Sequence, residues 1–503
     1  AFSRSPPKKT FVTVYLNYLI HSNLMKRNTV IDLLSLLSGE EVTKLGKFLR
    51  SPYFNSSKPV VALFDCLRKW HPDYEEKRIR PQIFWKKIYP GKAFAEQKYW
   101  TLNFNLRCLI ERFMAVEEMQ KDEFVFKKQL IQSHGRRNAH ALFEKETKAL
   151  AGQIEKLPYQ DIHSYSKSLW LKHDYYYKTG TNKYGGGASF SVKDTMHDLD
   201  RFYVLAKLFY TSEFKNREEV FSTKTNILLL DECVSLSAGF QEENPAFLMC
   251  RTILNLFDKD NPNTAFQTGK KLLLQHAATL SREVQGVVYA NLKNFAIRQL
   301  NQGKTEYWNE VHTLNKMGLK LDLILHKDRI TESAFLNMIH AGCHEKEFNW
   351  VKHFIEDYEK FLDPTYKEDI KKLSLGILYF EMKAYEMALS FVDDSGIVNV
   401  FVQNNAKILS IKIWFEKFIQ DNSLFELLHS MLEANEKFFR RNKLLSKQKA
   451  MESINFILAI KQIVDMIFRK KGKMEIKEKM ETFLAKHKTM VSKKWLIEKC
   501  NEL

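Results

Sequence analysis

The chain has 503 residues, 45% of them hydrophobic and 13% aromatic, with only 18 Gly and 11 Pro. That length exceeds one compact core, the apolar content excludes a mainly disordered polymer, and so few turn-formers exclude an all-β protein. The formal charge of +18 is unevenly placed, +12 over residues 1–150, −3 over 151–400 and +9 over 401–503. Two basic ends suit a polyanion, although lysine-rich helical surfaces also serve solubility alone.

Residues 1–27 read as a leader or flexible extension. The apolar stretch 11–20 is short, is interrupted by Asn17, and lacks a small-residue cleavage site. An N-terminal helical module is expected over 28–120. Ser38 and Glu41 have capping-box spacing, and Ser51-Pro52 should end the helix they start. Ser56 or Ser57 should cap the next helix, whose stripe is Val60, Leu63, Phe64 and Leu67. A short helix over 83–88 should stop at Pro90-Gly91. A long one from about 95 to 119 should bury Trp100, Phe104, Leu106, Leu109, Ile110 and Phe113.

A helical middle region is expected over 121–281. Its glycine-rich passage, 180–189, lacks the spacing of a phosphate-binding loop and reads as a connector. Ser191–Asp194 and Asn244-Pro245 both look like helix starts, the second with proline at the first helical position. From 282 to 465 helix pairs should begin near 283, 331, 367, 403 and 446. An irregular period of this length marks stacked helical hairpins, each covering the next one's apolar face. Residues 466–503 are expected to form a basic C-terminal capping helix, with Ile476, Met480, Phe483 and Leu484 on its apolar side.

Leu375-Gly376 is followed by Tyr379, Tyr385 and Ala388, three, nine and twelve residues after the glycine. The segment resembles a tetratricopeptide repeat, in which small residues let antiparallel helices approach closely and aromatics fill the flanking groove. Gly342 lies 34 residues upstream and Ser410 34 downstream, both small where the motif wants a small residue. Trp350, Phe354 and the long turn at 419–423 depart from it. A second resemblance rests on Phe48–Asn55, His71–Tyr74, Tyr89–Lys92 and Lys494–Lys499, among other runs. These are similar to uncharacterised helical proteins of Bacteroidetes bacteria, which implies a cytoplasmic bacterial protein and supplies no activity.

The expected fold is therefore all-α, a tetratricopeptide-like α-solenoid with an N-terminal helical module. Scattered cysteines without a C-x-x-C pair suit a reducing compartment, and no apolar run is long enough to cross a membrane. Cys343-His344 with His353 lacks the four ligands of structural zinc. His173-Asp174 are adjacent on a helix and point about 100° apart, so they do not form a dyad. No catalytic, cofactor or metal residue is assigned. The expected function is a non-catalytic scaffold holding a segment of another protein. The alternative is an RNA- or ribosome-associated factor using Arg136, Arg137, Arg440, Arg441, Lys443, Lys447, Lys449, Arg469, Lys470, Lys471 and Lys473; nearby aromatics could stack on bases, although Phe438 and Phe439 read more readily as core than as base platforms.

Overall fold

The computed structural model describes residues 29–74, 80–178, 190–221, 226–242, 244–258, 260–392, 399–442, 444–487 and 489–503. The expected leader, the glycine-rich passage 180–189 and Lys443 lie outside them. The described residues form α-helices joined by short connections, with no strand among them. Two compact units divide the chain. Trp170–Val192 joins what precedes Glu155 in one, and Lys156–Leu169 joins Lys193–Leu503 in the other.

In the first unit, α1 (Thr29–Ser35), α2 (Gly39–Arg50), α3 (Lys58–Leu67), α4 (Pro81–Ile88) and α5 (Glu96–Lys121) enclose one core. The capping box forms in full: Glu41 N–H donates to Ser38 Oγ at 3.2 Å, and Ser38 N–H donates to Glu41 Oε2 at 2.9 Å. Ser57 occupies the N-cap of α3 without a side-chain bond. Asn55 does the tying instead, accepting from Ser57 N–H at 2.9 Å and donating to Leu49 O at 2.8 Å. The phase expected for α5 needs correction. Tyr99, Leu102, Leu106, Ile110 and Phe113 face the core, while Trp100 and Phe104 are 46% and 59% exposed. Spacings of 3, 4, 4 and 3 put one stripe inward, and residues one or two positions off it rotate outward. A second core joins α6 (Glu123–Arg136) and α7 (His140–Glu155) to part of α8 (Ile162–Lys178), through Ile131, Phe143, Leu150, Leu171 and Tyr175.

The other unit continues with α9 (Val192–Phe221), α10 (Leu230–Phe240), α11 (Pro245–Leu254) and α12 (Pro262–His276). As the sequence suggests, α11 starts at Asn244-Pro245, and Asn244 Oδ1 accepts from Ala246 N–H at 2.9 Å. Next come α13 (Arg282–Asn301), α14 (Tyr307–Lys320), α15 (Glu332–His344), α16 (Phe348–Tyr358), α17 (Lys367–Glu381), α18 (Tyr385–Phe391), α19 (Val400–Gln420), α20 (Phe425–Arg441) and α21 (Lys447–Phe468). The five starts expected near 283, 331, 367, 403 and 446 fall at 282, 332, 367, 400 and 447. The fourth comes early because Asn399 caps it, accepting from Phe401 and Val402 N–H.

Five of these connections share one stop, one of them at Asp322, where Leu323 N–H donates to Gly318 O. Gly303, Lys346, Lys383 and Lys470 likewise take positive φ, and the next residue's N–H donates to a carbonyl five residues back, as in Lys304 to Gln299, Glu347 to Gly342, Ala384 to Tyr379 and Lys471 to Met466. This is the left-handed C-terminal cap that closes a helix on its own last carbonyls.

The tail is two helices, α22 (Lys473–Lys486) and α23 (Lys493–Glu502), where a single capping helix is expected. The chain leaves helical geometry at His487 because the following residues bond to α21: Asn455 Nδ2 donates to Thr489 O at 3.0 Å, and Val491 N–H donates to Glu452 O at 3.3 Å.

Candidate protein-binding surface

The repeat-like residues show how the pairs come together. A Cβ on Gly376 would lie 2.7 Å from Val392 Cγ2 and 3.6 Å from Ala388 O, so only glycine lets α17 and α18 approach this closely. Ala388 is fully buried, and Tyr379 stacks on Phe391 with centroids 5.5 Å apart. Tyr385 is half-buried near Phe380. Gly342 is equally confined, with Val351 Cγ2 at 2.5 Å and the Trp350 ring at 3.1 Å from the added carbon. Trp350, a departure from the motif in sequence, thus fills the space that Gly342 leaves. Ser410 is half-buried on α19, its hydroxyl 3.9 Å from Met431 Sδ.

On α19, Ile411, Ile413, Phe415 and Phe418 turn into the core. Lys412 and Glu416, one helical turn apart, point another way. Burial depresses the Lys412 ammonium to about 8, partly offset by Glu381 and Glu498. Burial raises the Glu381 carboxyl, against the pull of Lys412. Burial also lowers His340 on α15 to about 4, with Lys412 adding to the shift. His340 and Glu381 keep solvent-exposed surface.

Helix α23 packs beside Lys412. Lys412 Nζ lies 5.2 Å from the centroid of Trp495, whose ring stands edge-on to Phe415 at 5.6 Å and tilted on Phe456 at 6.0 Å. Trp495 borders two hydrophobic cores, one around Phe335 to Ile413 and one around Ile411 to Cys500. Lys499 Nζ bonds Glu416 Oε1 at 2.7 Å, with side chains only 19% and 11% exposed. Leu496 and Cys500 are buried.

The candidate polyanion contacts are dispersed. Arg136 and Arg137 end α6 in the first unit, and Arg137 Nη1 donates to Ser133 O. Arg440 and Arg441 end α20, where Arg440 is held by Glu436 at 2.7 Å. Lys447 and Lys449 start α21 beside them and are exposed. Arg469, Lys470, Lys471 and Lys473 lie past the other end of that 22-residue helix, a rise of about 33 Å away. Lys471 pairs with Glu475 at 3.0 Å, and Lys473 Nζ donates to Glu502 O at 3.2 Å. Phe439 is buried, and Phe438 is half-buried with the Lys407 ammonium 4.5 Å from its ring centroid.

Asp174 accepts from Gln132 Nε2 at 3.0 Å, while His173 packs against Trp170 and Tyr177. Cys343 is buried, and His344 stacks on Trp308. Among the described residues no group of three His, Cys, Asp or Glu could hold a metal ion, and no helix is long and apolar enough to cross a membrane. An apolar hollow of about 420 Å³ beside α9 is lined by Phe202, Tyr203, Tyr210 and Phe214, among others, without a carboxylate, histidine or cysteine.

Sequence reasoning missed the meeting of His340, Glu381, Lys412 and Trp495. One signal was present: Lys412 interrupts the apolar run Ile408–Phe415, where a charge needs a reason. Compared with family models, curated proteins and solved structures, the chain finds no match in any of the three.

Proposed function

We propose that this chain is a non-catalytic scaffold. In this reading the helix pairs from α13 onward stack in sequence order as a tetratricopeptide-like solenoid. The surface on the first helices of successive pairs holds a segment of a partner protein. The observation that carries it is the cluster around Lys412, where His340 of α15 and Glu381 of α17 interact electrostatically with Lys412 of α19 and Trp495 of α23 lies against the lysine. Such a mixture suits a peptide better than a small metabolite, because long segments gain affinity from a few anchored side chains in an aromatic and charged setting.

The experiment is a capture from native extract with wild-type chain and with Lys412→Glu, each with and without nuclease. The scaffold reading expects nuclease-resistant proteins that the variant loses. An unchanged set would refute it, and a set removed by nuclease would favour RNA. The RNA reading gains less support, because the exposed basic residues sit at several helix ends, where they offset the helix dipole.

A further inference from the structure

We infer that α23 is the resident occupant of this surface, an exchangeable stand-in for a partner helix that presents a tryptophan and, four residues on, a lysine. The inference rests on the scaffold reading above. Helix α23 contacts the first helices of two consecutive pairs, with Trp495 against Phe415 of α19 and Phe456 of α21, and Lys499 against Glu416 of α19. Residues one helical turn apart share a face, so Trp495 and Lys499 form a two-point anchor backed by Leu496 and Cys500. This is how an amphipathic helix docks on another protein.

Three features make the occupant exchangeable. At ten residues, α23 is too short to be stable alone. Ser492, just before it, sits in the left-handed region at φ 52 with no side-chain cap. The chain leading into it is pinned separately, Thr489 O by Asn455 Nδ2 and Val491 N–H by Glu452 O, so the helix stays tethered when it leaves. The receiving side carries matched chemistry: Glu416 for a cation, and Phe415 and Phe456 for an aromatic ring. The Lys412 ammonium above the ring adds a cation–π contact. A tethered occupant acts at an effective concentration near millimolar. The apparent affinity of any competitor is therefore its intrinsic affinity multiplied by the fraction of time the surface is vacant.

The probe is a labelled peptide of residues 489–503, titrated by anisotropy into full-length wild type, Trp495→Ala and Lys499→Gln, with hydrogen exchange following α23. Both variants are expected to lose protection in α23. They should bind the peptide more tightly than wild type, about tenfold for Trp495→Ala and about threefold for Lys499→Gln. A peptide carrying its own Trp495→Ala change should bind none of the chains. Should Trp495→Ala fail to fold, Lys499→Gln carries the comparison. Unchanged α23 protection in the variants that fold would overturn the proposal, as would freed α23 without tighter peptide binding. The scaffold reading fails separately, when Lys412→Glu captures the same proteins as wild type.

Discussion

The ammonium of Lys412 sits 5.2 Å from the ring centroid of Trp495, joining residues 83 positions apart in sequence. The same lysine is held near pKa 8 by burial, well below an ordinary lysine. The folded state thus binds its proton less tightly than the unfolded chain does. Between about pH 8 and 10.4 the unfolded chain carries more protons, so this group's contribution to stability rises with pH across that window. Lys412→Met is expected to raise the melting temperature by about 1–3 °C below pH 8. The advantage should fade as pH climbs towards 10, as a series of thermal melts would show.

Glu436 accepts from Lys461 at 2.7 Å and from Arg440 at 2.7–2.9 Å, and these bonds hold its carboxyl below the usual range, Lys461 foremost. A lowered carboxyl pKa contributes stability above the unfolded value of about 4.3 and loses it as pH falls through the folded value. Glu436→Gln should cost about 1 kcal/mol at pH 7. The difference from wild type should vanish in acid, and urea titrations at two pH values would test it.

Lys346, Lys383 and Lys470 occupy left-handed stops at φ 58, 61 and 54. A side chain there is strained by about 1 kcal/mol, and glycine removes the strain. Replacing each lysine by glycine should stabilise the chain by about 0.5–1 kcal/mol. Gly303→Ala should destabilise it by a similar amount. A lower urea midpoint for the lysine-to-glycine variants would contradict this account.

Gly376→Ala should cost about 1–3 kcal/mol, because the new carbon would sit 2.7 Å from Val392 Cγ2. Pairing it with Val392→Ala should restore part of that loss, a coupling that a double-mutant cycle measures. Gly152, which has nothing within 4 Å of an added carbon, should instead gain about 0.5–1 kcal/mol from alanine.

What was legible in the sequence was local. The Ser38 capping box, the Asn244-Pro245 start and the five helix starts from α13 to α21 are written within a few residues of where they act. The orientation of α5 was not, since Trp100 and Phe104 are apolar yet face solvent, and only the neighbours of Tyr99 and Leu106 decide the phase. The lysine stops escaped notice because lysine is not a turn-former, and the hydrogen bonds of the turn impose its conformation. The cluster around Lys412 escaped because His340, Glu381, Lys412 and Trp495 are scattered over more than 150 positions. Only packing of the helices brings them together.

The docking of Trp495 also sets an order of events during synthesis. Phe415 leaves the ribosome 80 residues before Trp495 does. At about 5–20 residues per second, the part of Phe415 that Trp495 covers waits roughly 4–16 seconds for its cover. In the proposed exchange, a nascent chain in that interval would offer the surface with no α23 to compete, so a partner helix at the exit tunnel would meet it first.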